Sequence, residues 1–214
     1  MIRTNTKIRE NEKIPLNQRS DAELKSLAPS PFLLKFAQAI VQQAHSGPIL
    51  DVACGGGRNA VLLAYLGARV IGVDRDLQRT QQGLNRLRGT LFGECLGRIS
   101  IQECDLIRDA WPFGSESTGA VINVHFLHEP LIRQFLDSLR PGGFLLLETV
   151  GGHGENFREL PVAGRLRGLV SENLNLLEYR ERPCGPPELR RVAVKLLGTK
   201  KIRDTGSNTQ HQPT

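Results

Sequence analysis

The chain predicts an α/β fold built on a largely parallel sheet, and three observations carry that expectation. Short β-rich runs alternate with helical segments from residue 48 to residue 149, which is the signature of βαβ units. A glycine-rich turn, Gly55-Gly56-Gly57, follows the first of these runs almost at once. Two later runs, LNLLEYR and RVAVKLL, flank the turn-rich PCGPP and read as an antiparallel pair closing one edge.

In chain order, Ser30 and Pro31 look like an N-cap and first helical residue, and Phe32, Leu33, Phe36, Ile40 and Val41 then recur at helical spacing, an amphipathic helix. PILDV reads as the first strand, followed by a helix from Asn59 to Leu66, the strand RVIGV, a helix over Leu77–Leu87 and the strand ISIQE. AVINV and FLLLET follow, separated by a helix over Pro130–Leu139. The core therefore falls within residues 29–203, one domain of ordinary size. Residues 1–28 are polar and basic without apolar periodicity, and 204–214 are poor in apolar residues; both are expected to be flexible.

Among 214 residues no apolar run approaches the roughly 18 to 20 that a membrane helix needs. The charged start MIRTNTKIRENEKIPL has no apolar signal-peptide core, so a soluble cytoplasmic protein is expected. Cys54, Cys95, Cys104 and Cys184 lack paired spacing and read as free thiols, with no metal site suggested. The net charge of +6 resides in the flanks: residues 156–203 carry eleven Lys or Arg against five acids, whereas 21–155 carry twelve against fourteen. Those flanks are a candidate footprint for RNA or another anionic partner, set against the plainer reading of a solvated face.

In PILDVACGGGRNA an apolar strand ends in Asp51 and enters a loop of Ala53, Cys54, Gly55, Gly56 and Gly57 before the next helix. Such a loop lets a ligand approach the backbone and offers helix N-terminal amides. Gly55, Gly57 and Ala60 also fit the dinucleotide fingerprint, with Asp74 near the expected acid. Electrostatics separates the readings, because a pyrophosphate gains little from a carboxylate beside it. S-adenosylmethionine brings an ammonium and a sulfonium, for which Asp51 is a favourable neighbour. Asp74 at the second strand end suits ribose hydroxyls, and Asp105 after the third is either an acceptor for an adenine amino group or a turn cap.

The stretch LDVACGGGRNAVLLAYLGARVIGVDRD resembles the first motif through the second-strand acid of class I S-adenosylmethionine-dependent methyltransferases. GRNA and LAYLGARVIGVD are most similar to the tellurite-resistance type and its bacterial relatives, and RPGGFLLLET also resembles the family. The likeness covers about residues 30–150, with Ala53 standing where the family most often has its first motif glycine. It implies a Rossmann-like, doubly wound seven-stranded sheet, mostly parallel with one antiparallel strand near the edge. By position, it implies that the Asp51–Gly57 loop faces the methionine moiety, that Asp74 holds the ribose, that Arg75 flanks the adenine and that Asp105 with Leu106 borders its edge.

The fourth strand ends in NVHFLHEP, which in this family lies beside the transferring methyl, so Asn123, His125 and His128 are candidates there. Pro-Pro-Tyr and Pro-Cys nucleobase signatures are missing from this segment, and a small-molecule acceptor is expected. The glycine-bearing segment 151–168 reads as a lid. Two other functions stay open: a dinucleotide-dependent oxidoreductase, and an idle methyltransferase fold serving as a binding module.

Overall fold

The computed structural model describes residues 27–44 and 47–202; nearly all of the basic 1–28 flank and the 204–214 tail lie outside the described residues. The elements, in order, are α1 (Pro31–Gln43), β1 (Ile49–Val52), α2 (Arg58–Tyr65), β2 (Val70–Asp74), α3 (Leu77–Asn85), β3 (Ile99–Glu103), β4 (Thr118–Val124), α4 (Leu131–Ser138), β5 (Leu139–Glu148), α5 (Arg165–Val170), β6 (Leu174–Pro183) and β7 (Val192–Lys200). They form one seven-stranded sheet in the order β3-β2-β1-β4-β5-β7-β6. The first five strands pair in parallel, and β7 runs antiparallel to both β5 and β6. This is the Rossmann-like sheet the sequence implies, with β6 at the edge.

Strand alternation divides the core in two. Ile49, Val70, Ala120, Ile122, Phe144, Leu146 and Leu197 pack with α1 and α2 on one face. Leu50, Val52, Val73, Val121, Leu145, Leu147 and Leu196 pack with α4 and α5 on the other. Ser30 caps α1 as expected, its hydroxyl accepting from the Leu33 N–H with Pro31 following. No helix among the described residues is long and apolar enough to cross a membrane.

Two expectations need correction. β5 starts at Leu139, which pairs with Thr118 across an irregularity, so the Pro141-Gly142-Gly143 turn lies inside the strand. Gly142 at φ 78° makes that detour possible. Segment 151–168 is not a loose lid, because its middle is tied to the β6–β7 turn. Arg191 donates to the Leu160 carbonyl at 2.6 Å, Ala163 N–H to Arg190 at 2.8 Å and Val192 N–H to Pro161 at 3.0 Å. Leu160 is buried beneath them.

Candidate active site

β1 delivers Asp51 to the face it shares with Ile49, at a depth where the side chain is 1% exposed. The chain then turns through three left-handed residues, Ala53 (φ 53°), Gly55 (φ 53°) and Gly57 (φ 78°). Glycine takes this conformation freely, whereas Ala53 carries a cost of about 1–2 kcal/mol. The position where glycine is usual therefore keeps the glycine geometry with a methyl group added. The turn brings the Ala60 N–H, in the first turn of α2, beside the Asp51 carboxyl, where it favours the charged form. Asp51 Oδ2 has no partner among the described residues.

Burial pushes the Asp51 carboxyl up from 3.8 to about 7; the Ala60 N–H opposes this, the Asp74 charge adds to it and the Arg58 guanidinium opposes it. A buried carboxylate with an unused oxygen is costly unless a cation or donor meets it. A ligand that brings a cation or a hydrogen-bond donor to Oδ2 would offset that cost.

Asp74, at the end of β2, is held by two backbone donors: Gly55 N–H at 2.8 Å and Asp76 N–H at 3.0 Å. Each carboxylate oxygen keeps a lone pair for a hydroxyl, so Asp74 is oriented before any ligand arrives. α3 locks the loop from the side. Thr80 Oγ1 donates to the Gly55 carbonyl at 2.7 Å, and a Cβ on Gly83 would stand 2.1 Å from the Gly56 carbonyl. Only glycine permits that approach, a role for Gly83 that the sequence reading missed although a glycine inside a helix is itself a signal. Cys54 turns its sulfur toward Thr80, 3.7 Å away, and beneath it to Gly72. It serves the loop through its backbone, and burial pushes its thiol up to about 12.

The remaining candidates gather at the same end of the sheet because their strands are parallel and in register. Asp105 caps its own turn, accepting from Ile107 N–H at 3.1 Å, while its N–H donates to Asp109 at 2.7 Å. Leu106 is buried beside it and Arg75 is exposed. On β4, Asn123 is 1% exposed, and neither its amide nitrogen nor its oxygen has a partner. His125 follows at φ 61°, exposed, its N–H donating to the Glu148 carbonyl at 2.7 Å. A non-glycine residue in the left-handed region carries strain, and it falls here directly after the last residue of β4. His128 is half-buried in the loop beyond.

One buried assembly escaped sequence reasoning altogether. Asn59 in the first turn of α2 accepts from Ser30 N–H at 3.0 Å, Ser30 Oγ donates to Glu148, and Glu148 meets Lys195 Nζ at 2.8 Å. It ties the start of α1 to the end of β5 and the middle of β7.

A buried acid with an unpaired oxygen, a left-handed glycine turn and a pre-oriented second acid thus stand on adjacent parallel strand ends. Residues 49–143 match the family model for a methyltransferase domain. The match runs from β1 to the Gly142-Gly143 turn, taking in the glycine loop, Asp74, Asp105, Asn123 and both histidines. Among solved structures, a SAM-dependent methyltransferase from Methanosarcina mazei is 16% identical, with 77% of this chain and 98% of that one covered at a TM-score of 0.56. Geranyl diphosphate methyltransferase in complex with SAM is 14% identical, covering 87% and 92% at 0.58. The cyclase SpnF is 15% identical, covering 79% and 82% at 0.55. These are likenesses of fold: the chain has the Rossmann-like methyltransferase fold. No curated protein sequence matches it.

Proposed function

We propose that the chain is an S-adenosylmethionine-dependent methyltransferase acting on a small-molecule acceptor. The observation that carries this reading is Asp51, buried, with an unpaired Oδ2 beside a left-handed glycine turn. A sulfonium ligand with its ammonium supplies the positive charge this carboxylate lacks, whereas a dinucleotide would set pyrophosphate against it. Asp74, oriented by Gly55 and Asp76, suits a ribose diol. When bound, the cofactor supplies an electrophilic methyl group. The chain's own share is alignment, exclusion of water and, for acceptors that must lose a proton, a base at the end of β4.

His125 and His128 are the imidazoles that end of β4 offers. With an oxygen or nitrogen acceptor, replacing the active one by Ala should lower turnover about 10²- to 10⁴-fold at little change in cofactor affinity. A soft acceptor such as a thiol, selenol or tellurium species needs mainly alignment and should lose far less; the likeness of the GRNA segment to the tellurite-resistance type points toward that class. Calorimetry with S-adenosylhomocysteine and NADH, followed by a labelled-methyl screen over small molecules, RNA and protein, tests the reading. Saturable NADH binding with no heat from S-adenosylhomocysteine would overturn it. Because SpnF, a cyclase, shares the fold, cofactor binding without methyl transfer across the screen would move the chain to the idle-fold reading.

A further inference from the structure

We propose that the cleft between the start of α1 and strands β6 and β7 is an anion-binding pocket that anchors a carboxylate or phosphate group of the acceptor. This rests on the methyltransferase reading above for the acceptor's identity, though not for the anion site itself. The cleft holds about 190 Å³ and is lined by Pro31, Phe32, Lys35, Glu178, Arg180 and Lys195. That volume suits a small anionic group with a few carbons attached.

Three cations meet two carboxylates here. Lys35 lies 3.5 Å and Arg180 2.6 Å from Glu178, and Lys195 lies 2.8 Å from Glu148. The carboxylates are largely shielded, with side chains 17% and 9% exposed, while the cations are 49%, 70% and 45% exposed. The pairs differ from a neutral ion-pair cluster in what they leave unused. An ammonium has three donors and a guanidinium five, and these contacts occupy only a minority of them. Exposed ion pairs of this kind are weak and rearrange at small cost. Of the side chains lining the cleft, three are cationic and one, Glu178, is anionic, and they stand against an apolar wall in which the Phe32 ring lies 5.5 Å from Lys195 Nζ.

Position ties the cleft to the strand ends. Lys195 stands opposite Glu148 in the β5–β7 register, and Glu148 stands opposite Val124 in the β4–β5 register. His125 follows Val124, with its N–H on the Glu148 carbonyl. Two strand spacings put Lys195 about 10 Å across the sheet from the end of β4. An acceptor that joins the two places must span at least that distance and pass around the buried Ser30–Glu148 contact.

The test titrates the full chain with benzoate, phenyl phosphate and neutral benzamide at constant ionic strength. It follows the backbone amides of Phe32, Lys35, Arg180 and Lys195 by NMR, with S-adenosylhomocysteine affinity measured separately. Saturable shifts are expected from at least one anion and not from benzamide, and the tighter anion identifies the group. A Lys35→Gln/Arg180→Gln variant should bind that anion about fivefold more weakly, with S-adenosylhomocysteine affinity kept. Absence of saturable shifts with both anions, equal shifts from benzamide, or an unchanged affinity in the double variant would each overturn the pocket. Failure of S-adenosylhomocysteine to bind the parent would instead strike the methyltransferase reading and leave the anion titration standing.

Discussion

Cofactor binding should be coupled to ionisation of Asp51. In the free protein burial holds this carboxyl at about 7 instead of 3.8, while a cationic ligand needs the carboxylate. The apparent dissociation constant should thus be nearly flat above pH 8 and rise about tenfold per pH unit below 7, roughly tenfold weaker at pH 6 than on the plateau. Calorimetry with S-adenosylhomocysteine in buffers of different ionisation enthalpy reads this directly, with release of about half a proton at pH 7 and about 0.9 at pH 6. Asp51→Asn should remove the dependence and bind at least about tenfold more weakly than the parent does on its plateau. Folding stability without ligand should show the opposite trend. A carboxyl whose folded pKa is raised stabilises fully below about 3.8, and that contribution is lost as pH rises through about 7. At 1.36 kcal/mol per decade the loss is at most roughly 4 kcal/mol, so Asp51→Asn should melt higher than the parent at pH 8 and more nearly alike at pH 5. A parent whose affinity agrees within twofold at pH 6 and 8, with no proton exchanged, would refute the reasoning.

Asp74→Ala should weaken S-adenosylhomocysteine binding by about 1.5–3 kcal/mol, the range for charge-assisted hydrogen bonds, as read by calorimetry on a variant with parental circular dichroism. Gly83→Ala places a methyl 2.1 Å from the Gly56 carbonyl; urea unfolding should show a loss of about 1–3 kcal/mol, and binding should fall as the loop shifts. Ala53→Gly should relieve the left-handed strain at φ 53°, stabilising the chain by up to about 1 kcal/mol once the added freedom of the unfolded state is subtracted. A destabilised Ala53→Gly would mean that the methyl packs usefully in the turn.

What the sequence made legible was local. Asp51 and Asp74 could be placed at strand ends because ILDV and VIGVD are short apolar runs that stop at an acid and a turn. Ser30-Pro31 announced α1 by its capping chemistry alone, and the β6–β7 pair by the turn residues around Cys184-Gly185. Pro141-Gly142-Gly143 has the composition of a turn that precedes β5, and nothing nearby says that Leu139 finds Thr118 on the far side of a detour. Locally Gly83 is no more than a glycine within a helix; its purpose is set by the Gly56 carbonyl, 27 positions earlier. Position alone leaves Cys54 and Asp105 open between a ligand and a local role, and their side chains meet neighbours: the Cys54 sulfur turns to Thr80 and Asp105 caps its own turn.

The Ser30–Glu148–Lys195 chain marks the boundary most clearly. Its members lie 118 and 47 residues apart, and each has a bland local reading: a helix cap, a strand-end acid, an exposed lysine on an alternating strand. Their assembly follows only from sheet order, which inserts β7 beside β5 and brings the start of α1 over both. Glu148 is buried there with two donors reaching it, and its partner Lys195 stays partly exposed among the residues that line the cleft. The anion pocket is thus a product of topology acting on charges that local sequence leaves unassigned, whereas the glycine loop is a product of local sequence that topology merely gathers with Asp74 and His125.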